Sequence, residues 1–216
     1  MDAYWYYSCY FYRKSLKMGK FSRTLKPDFF ARDTIEVAKD LLGKVLYRQI
    51  GQQVYRGIIT ETEAYHGETD LACHCSKGKT NRTGVMYDAP GHIYVYLIYG
   101  MYYMLNFVTM PKDFPAAVLI RGISNLQVSE NGQTFQNLNI KTDGPGKLTK
   151  HLHIDKSLNA LTLHPDTGLW VVDEQITIPK KQIISGKRIG IDYAKEWADI
   201  PWRFQVHPEY KISLKP

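Results

Sequence analysis

The chain has 216 residues, 44% of them hydrophobic and 23% charged, which suits one globular domain with a substantial core. Its three cysteines are too few, and odd in number, for a disulfide framework, so they exclude that class and indicate a reducing compartment. The 28 basic residues outnumber the 21 acidic ones and give a formal net charge of +7. This charge favours a polyanionic partner, with DNA, RNA or an acidic membrane surface as the candidates.

The N-terminal segment differs from the rest of the chain. Residues 1–12 are rich in aromatic side chains and basic residues follow them, whereas a secretory signal has its basic residues first. We interpret residues 1–20 as a peripheral N-terminal extension. Residues 21–216 are then expected to form a single domain.

The first predicted elements are a helix and a β-hairpin. Asp33 begins a capping-box pattern, and apolar residues follow at helical spacing until Gly43, which can end the helix. Two strand-like runs, residues 44–50 and 54–62, are separated by a glycine turn and predict a hairpin with Glu63 at its end.

The rest of the chain alternates between short strand-like runs and polar segments. Residues 68–90 are rich in turn formers and are interpreted as a long loop, whereas residues 124–143 are polar and are interpreted as a mobile insertion. A short helix is predicted over residues 144–152. β-Branched and aromatic residues predict further strands over residues 92–98, 116–121, 170–173, 182–184 and 202–206. Together these elements predict an α+β fold, a single mixed domain with a curved, mostly antiparallel β-sheet and peripheral helices.

A pair of carboxylates on the second predicted strand is the first candidate for chemistry. Because side chains alternate along a strand, Glu61, Glu63 and Tyr65 would share one face. Two carboxylates on one face can perform acid–base chemistry, or they can belong to a solvated strand edge. Arg121 ends an otherwise apolar run, so either its strand has reached solvent or the arginine is paired with a carboxylate such as Glu63.

A tyrosine-rich run is the second candidate. Tyr94 and Tyr96 share one face of the strand predicted over residues 92–98, and Tyr99-Gly100-Met101 is predicted to form a turn. A tyrosine at such a turn can act as a wedge between base steps, or it can be an exposed residue with no such role.

The same run raises the question of a membrane span, because residues 93–110 carry no charge and reach the necessary length. Tyrosines occur throughout this segment, although tyrosine belongs at membrane interfaces. We therefore predict a buried strand followed by a functional segment, and no membrane association.

Cys73, His74 and Cys75 invite the interpretation of a metal site. Structural zinc takes four ligands at wider spacing, and the third cysteine, Cys9, lies in the predicted extension. We expect no metal and no other cofactor.

Eight segments, in one order across about residues 27–206, resemble the methylpurine-DNA glycosylases, also called alkyladenine or 3-methyladenine DNA glycosylases. The most specific are Glu61-Thr62-Glu63-Ala64-Tyr65, Gly91-His92-Ile93-Tyr94-Val95-Tyr96 and Ile98-Tyr99-Gly100-Met101. The resemblance departs from the family pattern over residues 124–143 and in the first 20 residues. The other segments are Phe29-Phe30-Ala31-Arg32, Leu41-Leu42-Gly43-Lys44, Val118-Leu119-Ile120-Arg121, Gly144-Pro145-Gly146-Lys147-Leu148 and Arg188-Ile189-Gly190-Ile191.

The resemblance implies base excision repair of double-stranded DNA by a monomer. The enzyme flips a damaged purine, of the 3-methyladenine, 7-methylguanine and hypoxanthine class, out of the helix and hydrolyses its N-glycosidic bond. Water is the nucleophile, so the resemblance implies a monofunctional glycosylase without lyase activity. In a prokaryote such a protein would lie in the cytoplasm, associated with the nucleoid.

The resemblance also assigns roles to individual residues of the pocket. Glu63 matches the general base that activates the attacking water, and Arg121 matches the arginine that helps to hold this water. The residues that match the walls of the base pocket are Tyr65, His74, Tyr96 and Asn106, of which Asn106 screens purines by their exocyclic groups.

Three further residues are expected to contact DNA outside the pocket. Tyr99 matches the side chain that fills the gap left in the duplex, whereas Lys147 and Arg82 are expected to contact the DNA backbone. The alternative function is that of a non-catalytic protein that binds RNA or damaged DNA through the same aromatic residues. Release of a base from alkylated duplex DNA would distinguish the enzyme from such a protein.

Overall fold

A computed structural model describes residues 23–214 of the chain. The predicted extension over residues 1–20 lies outside these residues. Within them, nine strands form one antiparallel sheet. The strands are β1 (Val45–Ile50), β2 (Gln53–His66), β3 (Ile93–Ile98), β4 (Tyr102–Val108), β5 (Ala116–Ser129), β6 (Gln136–Asn137), β7 (Leu169–Val172), β8 (Ile183–Gly186) and β9 (Arg203–Val206).

Six strands follow the order β3-β4-β5-β2-β1-β7, while β6 pairs with β5 and β9 joins β2 to β8. The α-helices are α1 (Pro27–Phe30), α2 (Thr34–Asp40) and α3 (Pro145–His151). Short 3-10 helices lie between these elements, at His74–Lys77, Gly84–Tyr87, Lys156–Leu158, Pro165–Thr167, Lys180–Gln182 and Asp192–Ala198. The predicted α+β class and the mostly antiparallel sheet are confirmed.

The capping box predicted at the start of α2 is confirmed for its first residue, Asp33. The Asp33 carboxylate accepts hydrogen bonds from the backbone N–H groups of Ile35 and Glu36, at 2.9 and 3.1 Å, and so caps the helix. The side chain of Glu36 contacts Lys39 at 3.2 Å. The predicted hairpin is also present as β1 and β2.

Two strands are longer than their sequence patterns predict. The strand that was predicted to end at residue 62 continues to His66, so Glu63 lies within β2 and not at its end. The prediction of a mobile insertion over residues 124–143 is wrong over its first part, because residues 124–129 belong to β5 and pair with β2. Backbone pairing with β2 and burial of Leu126 outweigh the polar composition of this segment.

The uncharged segment over residues 93–110 forms a hairpin of β3 and β4, of which the sequence patterns predicted only the first strand. No helix among residues 23–214 has the length and apolar character needed to cross a bilayer.

The main hydrophobic core lies where α2 and α3 pack against the sheet, and it includes Val37, Leu41, Leu148, Phe107 and Ile120. A second buried cluster packs against Tyr65 and Tyr96, and its members include Cys73, Cys75, Val85, Met86, Tyr87 and Tyr94. The second cluster therefore supports the two tyrosines that were predicted to enclose a base.

Candidate active site

A cavity of about 270 Å³ opens beside the β3–β4 hairpin. Seven of the residues singled out in the sequence line it, namely Tyr65, His74, Tyr94, Tyr96, Tyr99, Asn106 and Arg121. The structure thus brings together side chains from β2, β3, β4, β5, the hairpin turn and the loop before β3.

Glu63 is fully buried and lies directly behind the wall of this cavity. The Tyr65 hydroxyl donates to its Oε2 at 2.8 Å, and the backbone N–H of Ile189 donates to its Oε1 at 2.8 Å. Arg121 Nη1 lies 3.3 Å from Oε2. Because all three of these partners line the cavity, the carboxylate is one layer from its interior.

Burial raises the pKa of the Glu63 carboxyl above its ordinary value, because a buried carboxylate loses its hydration. The charge of Arg121 and the hydrogen bonds from Ile189 and Tyr65 act in the opposite direction. Glu63 is therefore a stronger base than an exposed glutamate, and it is held next to a cation.

Glu61 belongs to the same charged cluster. Its Oε1 accepts hydrogen bonds from Arg121 Nε at 3.0 Å and from Arg203 Nη1 at 3.1 Å. The register of the β2–β5 pairing shifts on both sides of Glu61, as at a β-bulge. Such a shift can change the direction in which the neighbouring side chains point. The solvated strand edge is excluded, because Glu61 is 9% exposed and Glu63 is completely covered.

Aromatic rings form one side of the cavity. His74 Nδ1 lies 3.0 Å from the Tyr94 hydroxyl, and the His74 and Tyr96 ring centroids are 4.5 Å apart at an interplanar angle of 72°. Burial, with a contribution from the charge of Arg82, lowers the pKa of His74 to about 4. The imidazole is therefore neutral at physiological pH and keeps one donor and one acceptor nitrogen.

Asn106 contributes a fixed polar group to an otherwise aromatic and aliphatic surface. Its Nδ2 donates to the backbone carbonyls of Tyr94 at 3.1 Å and Met104 at 3.3 Å, and the side chain is buried. Because both amide hydrogens are used in this way, the group that Asn106 can offer to a ligand is its carbonyl oxygen.

Tyr99 lies at the tip of the hairpin and is 80% exposed. Tyr99 and Gly100 both have positive φ, 52° and 70°, and this geometry closes the turn between β3 and β4. Met101, also at the tip, is 65% exposed. Two large side chains thus project from the tip of the hairpin, and one of them, Tyr99, also lines the cavity.

The two basic residues expected at the DNA backbone lie outside the cavity wall. Lys147, in α3, forms an exposed ion pair with Asp143 at 2.8 Å. Arg82 is exposed, and its guanidinium lies 5.3 Å from the Tyr96 ring centroid. Arg82 therefore lies against the aromatic wall of the cavity, on the side of Tyr96.

The cysteines beside His74 are buried, and Cys75 Sγ contacts Met86 Sδ at 3.4 Å. Among residues 23–214, no group of three or more histidine, cysteine or acidic side chains is arranged to hold a metal ion.

Sequence reasoning gave no role to Tyr193 or to the backbone around Ile189, which line the cavity. It offered Glu61 for acid–base chemistry, whereas in the structure Glu61 holds the site arginine. The spacing of the two glutamates did place Glu61 on the face of Glu63. The Arg188-Ile189-Gly190-Ile191 segment carried part of the resemblance, but its residue types indicate no chemistry.

Residues 28–209 match the family described as methylpurine-DNA glycosylase. A protein of Clostridium perfringens (strain 13 / Type A) is 42% identical over 200 residues, which cover 87% of this chain and 98% of that protein. A protein of Bdellovibrio bacteriovorus is 44% identical over 193 residues, with 88% and 99% covered, and one of Methanocella arvoryzae is 47% identical over 186 residues, with 83% and 90% covered. All three have the name "Putative 3-methyladenine DNA glycosylase".

Proposed function

Because the chain belongs to the methylpurine-DNA glycosylase family, we propose that it flips damaged purines out of double-stranded DNA and hydrolyses their N-glycosidic bonds. The observation that carries this proposal is the position of Glu63. Its buried carboxylate is held by Arg121, Tyr65 and Ile189 directly behind the wall of an aromatic cavity. On this proposal, residues 21–216 are the glycosylase domain, and chromosomal DNA inside the cell is its substrate.

The proposed reaction uses water as the nucleophile. Glu63 accepts a proton from a water molecule that Arg121 helps to hold, and the water attacks C1′ of the extruded nucleotide. The C1′–N bond breaks with its electron pair going to the base, and the sugar passes through an oxocarbenium-like state. The raised pKa of Glu63 suits it to this role, since a base is most effective when its pKa approaches the working pH.

The residues that line the cavity favour a planar, electron-poor ligand. Tyr65, His74 and Tyr96 enclose the base in this proposal, and a cationic purine such as 3-methyladenine or 7-methylguanine would be attracted to the tyrosine faces. Asn106 screens purines by their exocyclic groups. Hypoxanthine, which is neutral, would need a hydrogen bond as it departs.

We also propose that the enzyme is a monofunctional monomer without a metal or other cofactor. No lysine is among the cavity-lining residues of the described part of the chain, so no amine is placed there to form a Schiff base with the sugar.

A panel of duplexes, each with one defined lesion, tests this function. We expect release of free 3-methyladenine, 7-methylguanine or hypoxanthine, undiminished by excess EDTA, with the DNA strand intact until alkali is added. Binding without release of any base would instead establish the alternative, a non-catalytic protein that binds damaged nucleic acid.

A further inference from the structure

A buried ion pair lies behind the cavity without lining it. Asp70 and Arg188 are both fully covered, and Arg188 Nη2 lies 2.9 Å from Asp70 Oδ1 in a two-pronged contact. Burying two charges is costly, and apolar side chains of similar volume often stabilise a fold as well or better. The pair is therefore poorly explained by stability alone.

Arg188 connects the ion pair to two segments that carry site residues. Its Nη1 donates to the backbone carbonyl of Ala64 at 2.9 Å, next to Tyr65, and its guanidinium lies 4.9 Å from the Tyr65 ring centroid. Its Nη2 also donates to the carbonyl of Trp197 at 3.2 Å. Arg188 immediately precedes Ile189, whose N–H donates to Glu63.

Asp70 connects the pair to the chain that leads to His74. Its Oδ2 accepts a hydrogen bond from the N–H of His66 at 3.2 Å, and its Oδ1 accepts one from the N–H of Ala72 at 3.0 Å. Ala72 lines the cavity two residues before His74. One ion pair thus joins the end of β2, the loop before His74 and the segment that contains Ile189.

We propose that Asp70 and Arg188 are positioning residues for base excision, which hold the Tyr65 ring and the Ile189 N–H in place against Glu63. This inference rests on the proposed function, because it concerns the same water-activating carboxylate. Neither residue touches the base, and both act through the groups that do.

The proposal predicts a change in the pH dependence of the reaction. Four groups face Glu63, namely Arg121 from β5, Tyr65 and Glu61 from β2, and the Ile189 N–H. Arg203 from β9 does so indirectly, because it bonds to Glu61. The Ile189 hydrogen bond favours the ionised carboxylate, so its loss would raise the pKa of Glu63. The acidic limb of the rate profile would then move to higher pH.

The test uses the double variant Asp70→Asn/Arg188→Met, which removes both charges with little change in side-chain volume. We expect a folded protein whose single-turnover base release from a methylated duplex is slower by about 10- to 100-fold, the size of effect that misplacement near the reacting groups produces. Its acidic limb should lie at higher pH than that of the unaltered protein. The control is Arg56→Met, which removes a different buried arginine, bonded to Gln127 at 2.7 Å. Arg56 lies on β2 seven residues before Glu63, so its loss should change neither the rate nor the profile.

Arg188→Lys provides a second measurement if the double variant does not fold. Lysine keeps the charge opposite Asp70 but lacks the planar group that contacts Tyr65 and the Ala64 carbonyl, so the same slowing and the same shift are expected. An unchanged rate and pH profile in whichever variant folds would overturn the positioning role while leaving the proposed function intact. Absence of base release by the unaltered protein would overturn the proposed function and this inference with it.

Discussion

The side-chain carboxylate of Glu63 lies in surroundings where burial disfavours its charge. The cationic Arg121 and hydrogen bonds from Tyr65 and Ile189 compensate for part of this cost. The residue therefore combines a raised pKa with a fixed orientation, which are the two properties that a general base needs.

The first prediction concerns Glu63→Gln. Glutamine retains the size of the side chain and one acceptor, but it cannot take a proton from water. Single-turnover base release should therefore slow by about 10²- to 10⁴-fold, the range for loss of acid–base catalysis. Binding to lesion-bearing DNA should survive, because it depends on the aromatic residues.

Glu61→Gln is the matched control for that substitution. Its Oε1 can still accept hydrogen bonds from Arg121 and Arg203, so we expect a much smaller loss of rate. Near-normal rates for Glu63→Gln, or equal losses for the two variants, would remove Glu63 from the role of the base.

The second prediction is the pH dependence of kcat/KM. Glu63 acts as a base only when ionised, so the rate should rise with pH through a pKa above the ordinary glutamate value of about 4.3. His74, whose pKa is lowered to about 4, titrates below this midpoint. The midpoint should therefore persist in His74→Gln, measured as base release from methylated DNA across the acidic range. A midpoint that moves with the His74 substitution would assign the limb to histidine instead.

At the scale of elements, the β3–β4 hairpin contributes to two parts of the proposed site. Its strands contribute Tyr96 and Asn106 to the cavity, and its turn places Tyr99 in solvent. Because the turn and the strands are continuous, Tyr99, which we propose enters the duplex, is held at a fixed position relative to the cavity.

The third prediction is that Tyr99→Ala weakens binding to lesion-bearing duplex DNA by about 1–3 kcal/mol, the range for loss of aromatic stacking on a base. Leu161→Ala is the control, since Leu161 is 39% exposed and its carbonyl binds the backbone of Ile93, at the opposite end of β3. A fluorescent base analogue beside the lesion reports flipping directly. Unaltered flipping in Tyr99→Ala would contradict the assignment.

At the scale of the whole molecule, the net charge of +7 favours binding to the DNA backbone. Lys147 is paired with Asp143. An exposed ion pair of this kind contributes little to the free energy of folding, so the ammonium group stays available to a phosphate. Arg82 lies over Tyr96 at the edge of the cavity.

The fourth prediction is that DNA affinity falls steeply as salt concentration rises. Lys147→Ala should weaken binding to damaged and undamaged duplexes alike and reduce the slope of log K against log salt by about 1. Lys39→Ala, which removes a half-buried lysine that is also paired with a carboxylate, is the control and should leave the slope unchanged. Selective loss of binding to damaged DNA in Lys147→Ala would place Lys147 in the base pocket.

The sequence by itself determined those features that depend on neighbouring residues. Alternation along a strand placed Glu61, Glu63 and Tyr65 on one face, and a glycine after Tyr99 indicated a turn. The carboxylate at position 33 predicted the start of a helix. These signals act over one to four residues, so they are present in the local pattern.

Only the tertiary structure decided which of these residues are buried together. Glu63 meets Ile189, 126 residues further along the chain, and Arg121 bonds to Glu61, 60 residues before it. Backbone pairing with β2, which is also distant in sequence, made residues 124–129 a strand, although their composition predicted a mobile insertion. Whether a carboxylate becomes a solvated surface group or a buried base depends on what covers it, and the covering segments lie far away in sequence.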